Sequence, residues 1–194
     1  MDFNIKSIKE LLRDKSRDNF YKNLLDIGID CTLAKRGINE EKLFNPWHRR
    51  SLGIININDN SPIKYINIIK QDRGKNNPPR WWYFFAIPSY DEINKEDNIE
   101  VKSKRIKSTP VIGKVESIKW ESNANSKKIS DIFSEDEEIN YLSVDLGNIK
   151  VQSLHDNFSG FSIELEFKRR NKNINKKNWE SLNKIANLCI NHKA

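Results

Sequence analysis

Between residues 29 and 120 the apolar side chains recur with a period of two, and no stretch of helical period interrupts them. Six runs rich in Ile, Val and aromatic residues, at 30–35, 52–58, 64–70, 80–87, 100–107 and 115–120, are divided by turn residues. Parallel neighbours need a crossover of a dozen or more residues, usually a helix. None lies between these runs, so the expected arrangement is an antiparallel meander. NDNSP at 58–62 is a turn cluster, QDRGKNNPP at 71–79 a longer hairpin loop, and SYDEINKEDN at 89–98 a polar connection.

The flanks read differently. Ser7 and Glu10 form a capping box before Ile8, Leu11 and Leu12, and Ser16 is placed to cap a segment carrying Phe20, Leu24 and Ile27 that ends at Gly28. Two short helices or one bent helix over 5–27 fit equally well. After residue 124, a helix is expected over 126–133. A second follows, with Ser134 and Glu137 as its capping box and Ile139, Leu142 and Leu146 running to Gly147. Strands at 149–154 and 161–168 come next, then a helix at 176–191 with Trp179, Leu182, Ile185, Ala186 and Cys189 on one face. The expected class is α+β: an N-terminal helical segment, a central mainly antiparallel sheet and a C-terminal β-α-β-β-α unit. Either 1–110 and 111–194 are separate units, or the chain is one continuous domain.

At 194 residues the chain is long enough to bury a core without disulfides or a structural metal. No apolar run approaches the roughly 18 residues that span a bilayer, and the first residues lack the apolar centre of a signal peptide. Cys31 and Cys189 form no CxxC pair and sit among apolar neighbours, which points to two buried thiols in a reducing, cytoplasmic setting. Three scattered histidines give no zinc spacing. The net charge of +7 suggests an anionic partner. Ile, Asn and Lys make up about two-fifths of the chain, the mark of an A/T-rich genome, so arginines carry more information than lysines. The excess is spread evenly: residues 1–97 hold 17 basic and 14 acidic side chains, residues 98–194 hold 17 and 13.

Five segments could carry chemistry. The acidic run Glu135-Asp136-Glu137-Glu138 stands at a helix start, where negative charge complements the helix dipole, and adjacent carboxylates there do not converge on one ion. In 161–168, Ser162, Glu164, Glu166 and Lys168 share one strand face, with Phe161, Ile163, Leu165 and Phe167 on the other. Glu166-Phe167-Lys168 has the E-x-K form of PD-(D/E)xK nucleases. With Asp156 it would hold Mg²⁺ and position an attacking water. That likeness covers thirteen residues. It lacks a proline before Asp156, and the Asp falls in a turn.

The third segment, 168–177, holds Lys168, Arg169, Arg170, Lys172, Lys176 and Lys177 and no acid, and could neutralise phosphates. A smaller cluster splits between strand faces, Lys102 and Lys104 on one side and Arg105 and Lys107 on the other. In RWWYFFAI, Trp81, Tyr83 and Phe85 point one way and Trp82, Phe84 and Ala86 the other, as in a central covered strand or one with a face in an interface. Lastly NPWHRRS gathers Trp47, His48, Arg49 and Arg50 in a loop, where Trp47 would pack and the arginines stay wet.

No P-loop, G-x-G-x-x-G, H-E-x-x-H or EF-hand loop occurs, and glycine is only 7 of 194 residues. No cofactor, catalytic set or metal is expected. The function read from the sequence is a non-catalytic binding or accessory module for a macromolecular partner, protein or anionic. The Trp47 loop or the aromatic strand would be its anchor and the 168–177 cluster its electrostatic guide. A nucleic-acid-binding protein is the alternative, followed by a metal-dependent nuclease using Asp156, Glu166 and Lys168.

Overall fold

The structure is a computed structural model describing residues 14–45, 47, 49–89, 98–109, 113–153, 155 and 158–191. The Ser7–Glu10 capping box, His48 and Asp156 lie outside the described residues.

Eight strands form one antiparallel sheet: β1 (Cys31–Leu33), β2 (Arg50–Ile57), β3 (Tyr65–Gln71), β4 (Arg80–Pro88), β5 (Glu100–Lys107), β6 (Val115–Ser122), β7 (Ile149–Gln152) and β8 (Gly160–Lys168). Helices α1 (Ser16–Asp26), α2 (Lys127–Glu135), α3 (Glu137–Leu146) and α4 (Lys176–Asn191) complete the α+β fold. The order is β1-β2-β3-β4-β8-β7-β5-β6, which corrects the meander. Adjacent hairpins account for β1 to β4, but β8 takes the place beside β4. Its nine residues pair in unbroken register from Arg80↔Lys168 to Pro88↔Gly160. Both strands bring a continuous apolar face to the same side, and that shared face stabilises a pairing between segments 72 or more residues apart. The β5–β6 pair joins residues on either side of position 110.

The main core lies between the sheet and the helices. It takes Trp81, Tyr83, Phe85 and Ile87 from β4 and Phe161, Ile163, Leu165 and Phe167 from β8, with Phe20, Phe133, Trp179 and Leu182 from the helices. Both strand faces read from sequence are thus observed. Cys31 and Cys189 are buried free thiols, and burial pushes them up to about 11 and about 12.

Two caps differ from expectation. Ser16 does not cap α1; its Oγ accepts a hydrogen bond from Trp81 Nε1 at 3.0 Å, because the indole N–H would otherwise be buried unpaired. The cap of α3 is Asp136 rather than Ser134. Asp136 Oδ1 accepts from the backbone N–H groups of Glu138 and Ile139, both at 3.1 Å, while the Ser134 hydroxyl bonds back to Ser130 O. A carboxylate there meets both the unpaired amides and the helix dipole.

On its other face the described residues form a second core over one half of the sheet. Phe44, Ile69, Trp82, Phe84 and Ala86 form a second small core, bordered by Leu43, Tyr65 and Phe158. Phe44 stacks on Phe84 with ring centroids 5.3 Å apart. The segment supplying Phe44 is pinned by Asn67, a fully buried amide on β3. Its Nδ2 faces the carbonyls of Glu40, Glu41 and Leu43 at 3.2, 3.3 and 2.9 Å.

A candidate anion-binding cleft beside an exposed tryptophan

The sheet has a gap. Strand β7 pairs with β5 only from Glu100 to Lys102 and with β8 only from Leu165 back to Ser162. Beyond Ile149 no strand separates the second half of β5 from Glu166–Lys168 of β8. The chain entering β7 leaves α3 through Gly147, whose φ of +122° suits glycine. A hydroxyl relay fixes this turn: Ile149 N donates to Ser103 Oγ at 2.7 Å, Ser103 and Ser143 hydroxyls lie 2.8 Å apart, and Ser143 Oγ donates to Gly147 O at 3.2 Å. Asn148 Oδ1 accepts from Arg105 N at 3.4 Å. The result is a cleft of about 470 Å³ rather than a continuous sheet.

Six basic side chains line it, Lys102, Arg105, Lys150, Lys168, Arg170 and Lys172, against the carboxylates of Glu164 and Glu166. Lys102 and Arg105 project from opposite faces of β5, yet both reach the cleft because the gap is open through the sheet. The expected split of that cluster between strand faces is observed, and the gap lets one residue from each face line the cleft. Among the described residues Lys102, Arg105 and Arg170 form no ion pair, and the Arg105 Nε is buried without a hydrogen-bond partner. Lys150 pairs with Glu100 at 3.1 Å. Lys172 donates to Asp145 O at 2.5 Å, offsetting the negative end of α3. Glu166 is held by Arg80 at 3.1 Å, with Lys168 at 3.8 Å. Burial raises the Glu164 carboxyl above its ordinary value, and Lys150 pulls it back.

Beside the cleft stands an aromatic and cationic stack. The Arg49 guanidinium lies 3.9 Å from the ring centroid of Trp82 and 4.5 Å from that of Trp47. Trp82 is buried, whereas Trp47 is 64 % exposed. Asn45 closes the loop: its Oδ1 accepts from Arg49 N at 2.9 Å and its Nδ2 donates to Arg49 O at 2.6 Å. The expectation of a packed Trp47 and a wet Arg49 is therefore reversed. The small core under the loop is already filled by Phe44, so Trp47 stays outside and Arg49 stacks between the rings. Burial, and after it the positive charge of Arg80, holds the Arg49 guanidinium below its ordinary value, while Glu166 and Glu164 favour its charge. Trp82 is directly opposite Glu166 in register, so the stack adjoins the cleft.

The remaining candidates disperse. Arg50 pairs with Asp72 at 2.6 Å. Arg169, with φ +71°, donates its backbone N–H to Pro79 O and lines a separate hollow with the 73–79 loop. Lys177 lies over the Tyr141 ring at 4.7 Å, and Lys176 is exposed at the start of α4. Among the described residues no three His, Cys, Asp or Glu side chains gather as a metal group, and no helix is long and apolar enough to cross a membrane.

No model of a protein family, no curated protein and no solved structure matches this chain.

Proposed function

We propose that this chain is a non-catalytic binding module that docks an anionic macromolecule on the polar half of its sheet. The observation that carries this reading is the cleft at the end of β7, where six cations meet two carboxylates and, among the described residues, Arg105 and Arg170 form no ion pair. A cleft of this charge is stabilised by an incoming anion, since guanidinium groups make strong, bidentate contacts to phosphate-type oxyanions. Its lining is polar rather than the apolar surface typical of small-molecule sites. Two free buried thiols accord with a cytoplasmic protein.

The test is retention on immobilised heparin, a polyanion without bases, for the wild type and for Arg105→Gln/Arg170→Gln. Elution of the double variant at clearly lower salt supports the reading; identical elution of the two proteins removes the cleft from it. The non-catalytic part is tested by incubating labelled DNA and RNA with Mg²⁺ or Mn²⁺. Strands of unchanged length are expected. Shortening that disappears in Glu166→Gln would replace the binding module with a metal-dependent nuclease.

A further inference from the structure

We infer that the anion is a single-stranded nucleic acid, with a backbone phosphate in the cleft and an unpaired base stacked on Trp47. This rests on the cleft being an anion site, and it adds the base.

Trp47 offers a large exposed aromatic surface, and its cost of exposure has no compensation within the described residues except the stack beneath it. Arg49 and Trp82 hold that stack from below: a buried indole, then a guanidinium, then the exposed indole. The ring is thereby presented on a supported, partly rigid platform, since Asn45 closes the loop that carries it. Stacking on aromatic rings beside a cationic groove is the means by which proteins hold single strands without reading their sequence. Every base has a π-face that stacks on such a ring, whatever the sequence.

The spacing agrees. Trp82 belongs to β4, Glu166 to the next strand, and the cleft occupies the lane that β7 leaves vacant. Two strand spacings, about 10 Å, thus separate the stack from the cleft centre. That is the scale of neighbouring groups along one strand of nucleic acid, so one ligand reaches both. A duplex keeps its bases stacked on each other and offers no face to Trp47.

The experiment is fluorescence anisotropy with four labelled probes of one length: a single-stranded oligonucleotide, its duplex, an abasic strand of the same phosphate count, and inorganic polyphosphate. The single strand is expected to bind tightest. Trp47→Ala should weaken it by about tenfold, the scale of one lost base stack, while leaving the abasic strand and polyphosphate within about twofold. Because Trp47 is exposed, that variant should fold as the wild type does, which circular dichroism checks. Lys102→Gln, at an exposed position, should weaken all of the probes together. Equal affinity for single, duplex and abasic probes, with Trp47→Ala silent, overturns the single-strand inference and leaves the anion-binding module standing. No binding of any probe at low salt overturns both.

Discussion

The two halves of the sheet's second face have opposite fates. Across β3 and β4 it carries Tyr65, Asn67, Ile69, Trp82 and Phe84, and the 39–44 segment folds down to cover it. Across β8, β7 and β5 the same face carries Ser162, Glu164, Glu166, Gln152, Lys150 and Lys102; Ser162 is buried, Glu164, Glu166, Gln152 and Lys150 are half-buried, and Lys102 is exposed. A row crosses the junction in register, Phe84 to Glu164 to Lys150 to Lys102, passing from buried ring to charge within one strand spacing. The covered half contributes stability; the polar half contributes charge. The stack of Trp47, Arg49 and Trp82 sits at the border and joins them.

The contrast is sharpest in truncation. Phe84→Ala should cost about 3–5 kcal/mol in urea unfolding, whereas Lys150→Ala, which removes one surface ion pair, should cost less than about 1 kcal/mol. Similar losses at the two positions would erase the division. Next in size is Asn67→Leu, which keeps the bulk but leaves the carbonyls of Glu40, Glu41 and Leu43 without their donor. A loss of about 1–3 kcal/mol is expected, with faster amide exchange at 40–49. Unchanged exchange there would mean that Phe44 alone holds the segment.

Smaller effects come from caps and titrating groups. Asp136→Ala should lower stability by about 1 kcal/mol at neutral pH. Burial works to raise the Asp136 carboxyl, but the hydrogen bond from Lys184 and the amides outweighs it, so the folded-state value is lowered. Its contribution is present above the ordinary aspartate range and lost as pH falls through the lowered value. The variant and wild type should therefore converge in acid. Glu164 runs the other way. Its folded value is raised, so the stability it lends is full below the ordinary glutamate range and is lost as pH rises through the raised value. Glu164→Gln should be slightly more stable than wild type at neutral pH and equal to it in acid. A destabilised Glu164→Gln variant at neutral pH would show that the ionised carboxylate is held by its lysine neighbours instead.

The faces of β4 and β8 were legible in the sequence because strand period is local: alternate residues in 80–87 and 161–168 fall to opposite sides whatever their neighbours are. The exchange of β8 for β5 beside β4 was not, because the choice among partner strands depends on matched apolar faces far apart in the chain. The cleft was hidden for the same reason. Arg105 belongs to a cluster divided between strand faces, and that it lines a cleft follows only from β7 stopping after four residues. Asn67 reads as a polar break in an apolar run. Only the fold reveals that three carbonyls converge on it. In the 168–177 cluster, sequence supplied the charges, but the backbone of Arg169 turns it away from its neighbours Lys168 and Arg170.

The most direct measurement is the salt dependence of single-stranded oligonucleotide binding, compared between wild type and Arg105→Gln/Arg170→Gln. Each phosphate neutralised contributes about 0.7 to the slope of log K against log salt for a single strand. Loss of two contacts should flatten that slope by about 1.4, with the fold intact by circular dichroism. A double variant with the wild-type slope and affinity would contradict the cleft as the place where the anion is held.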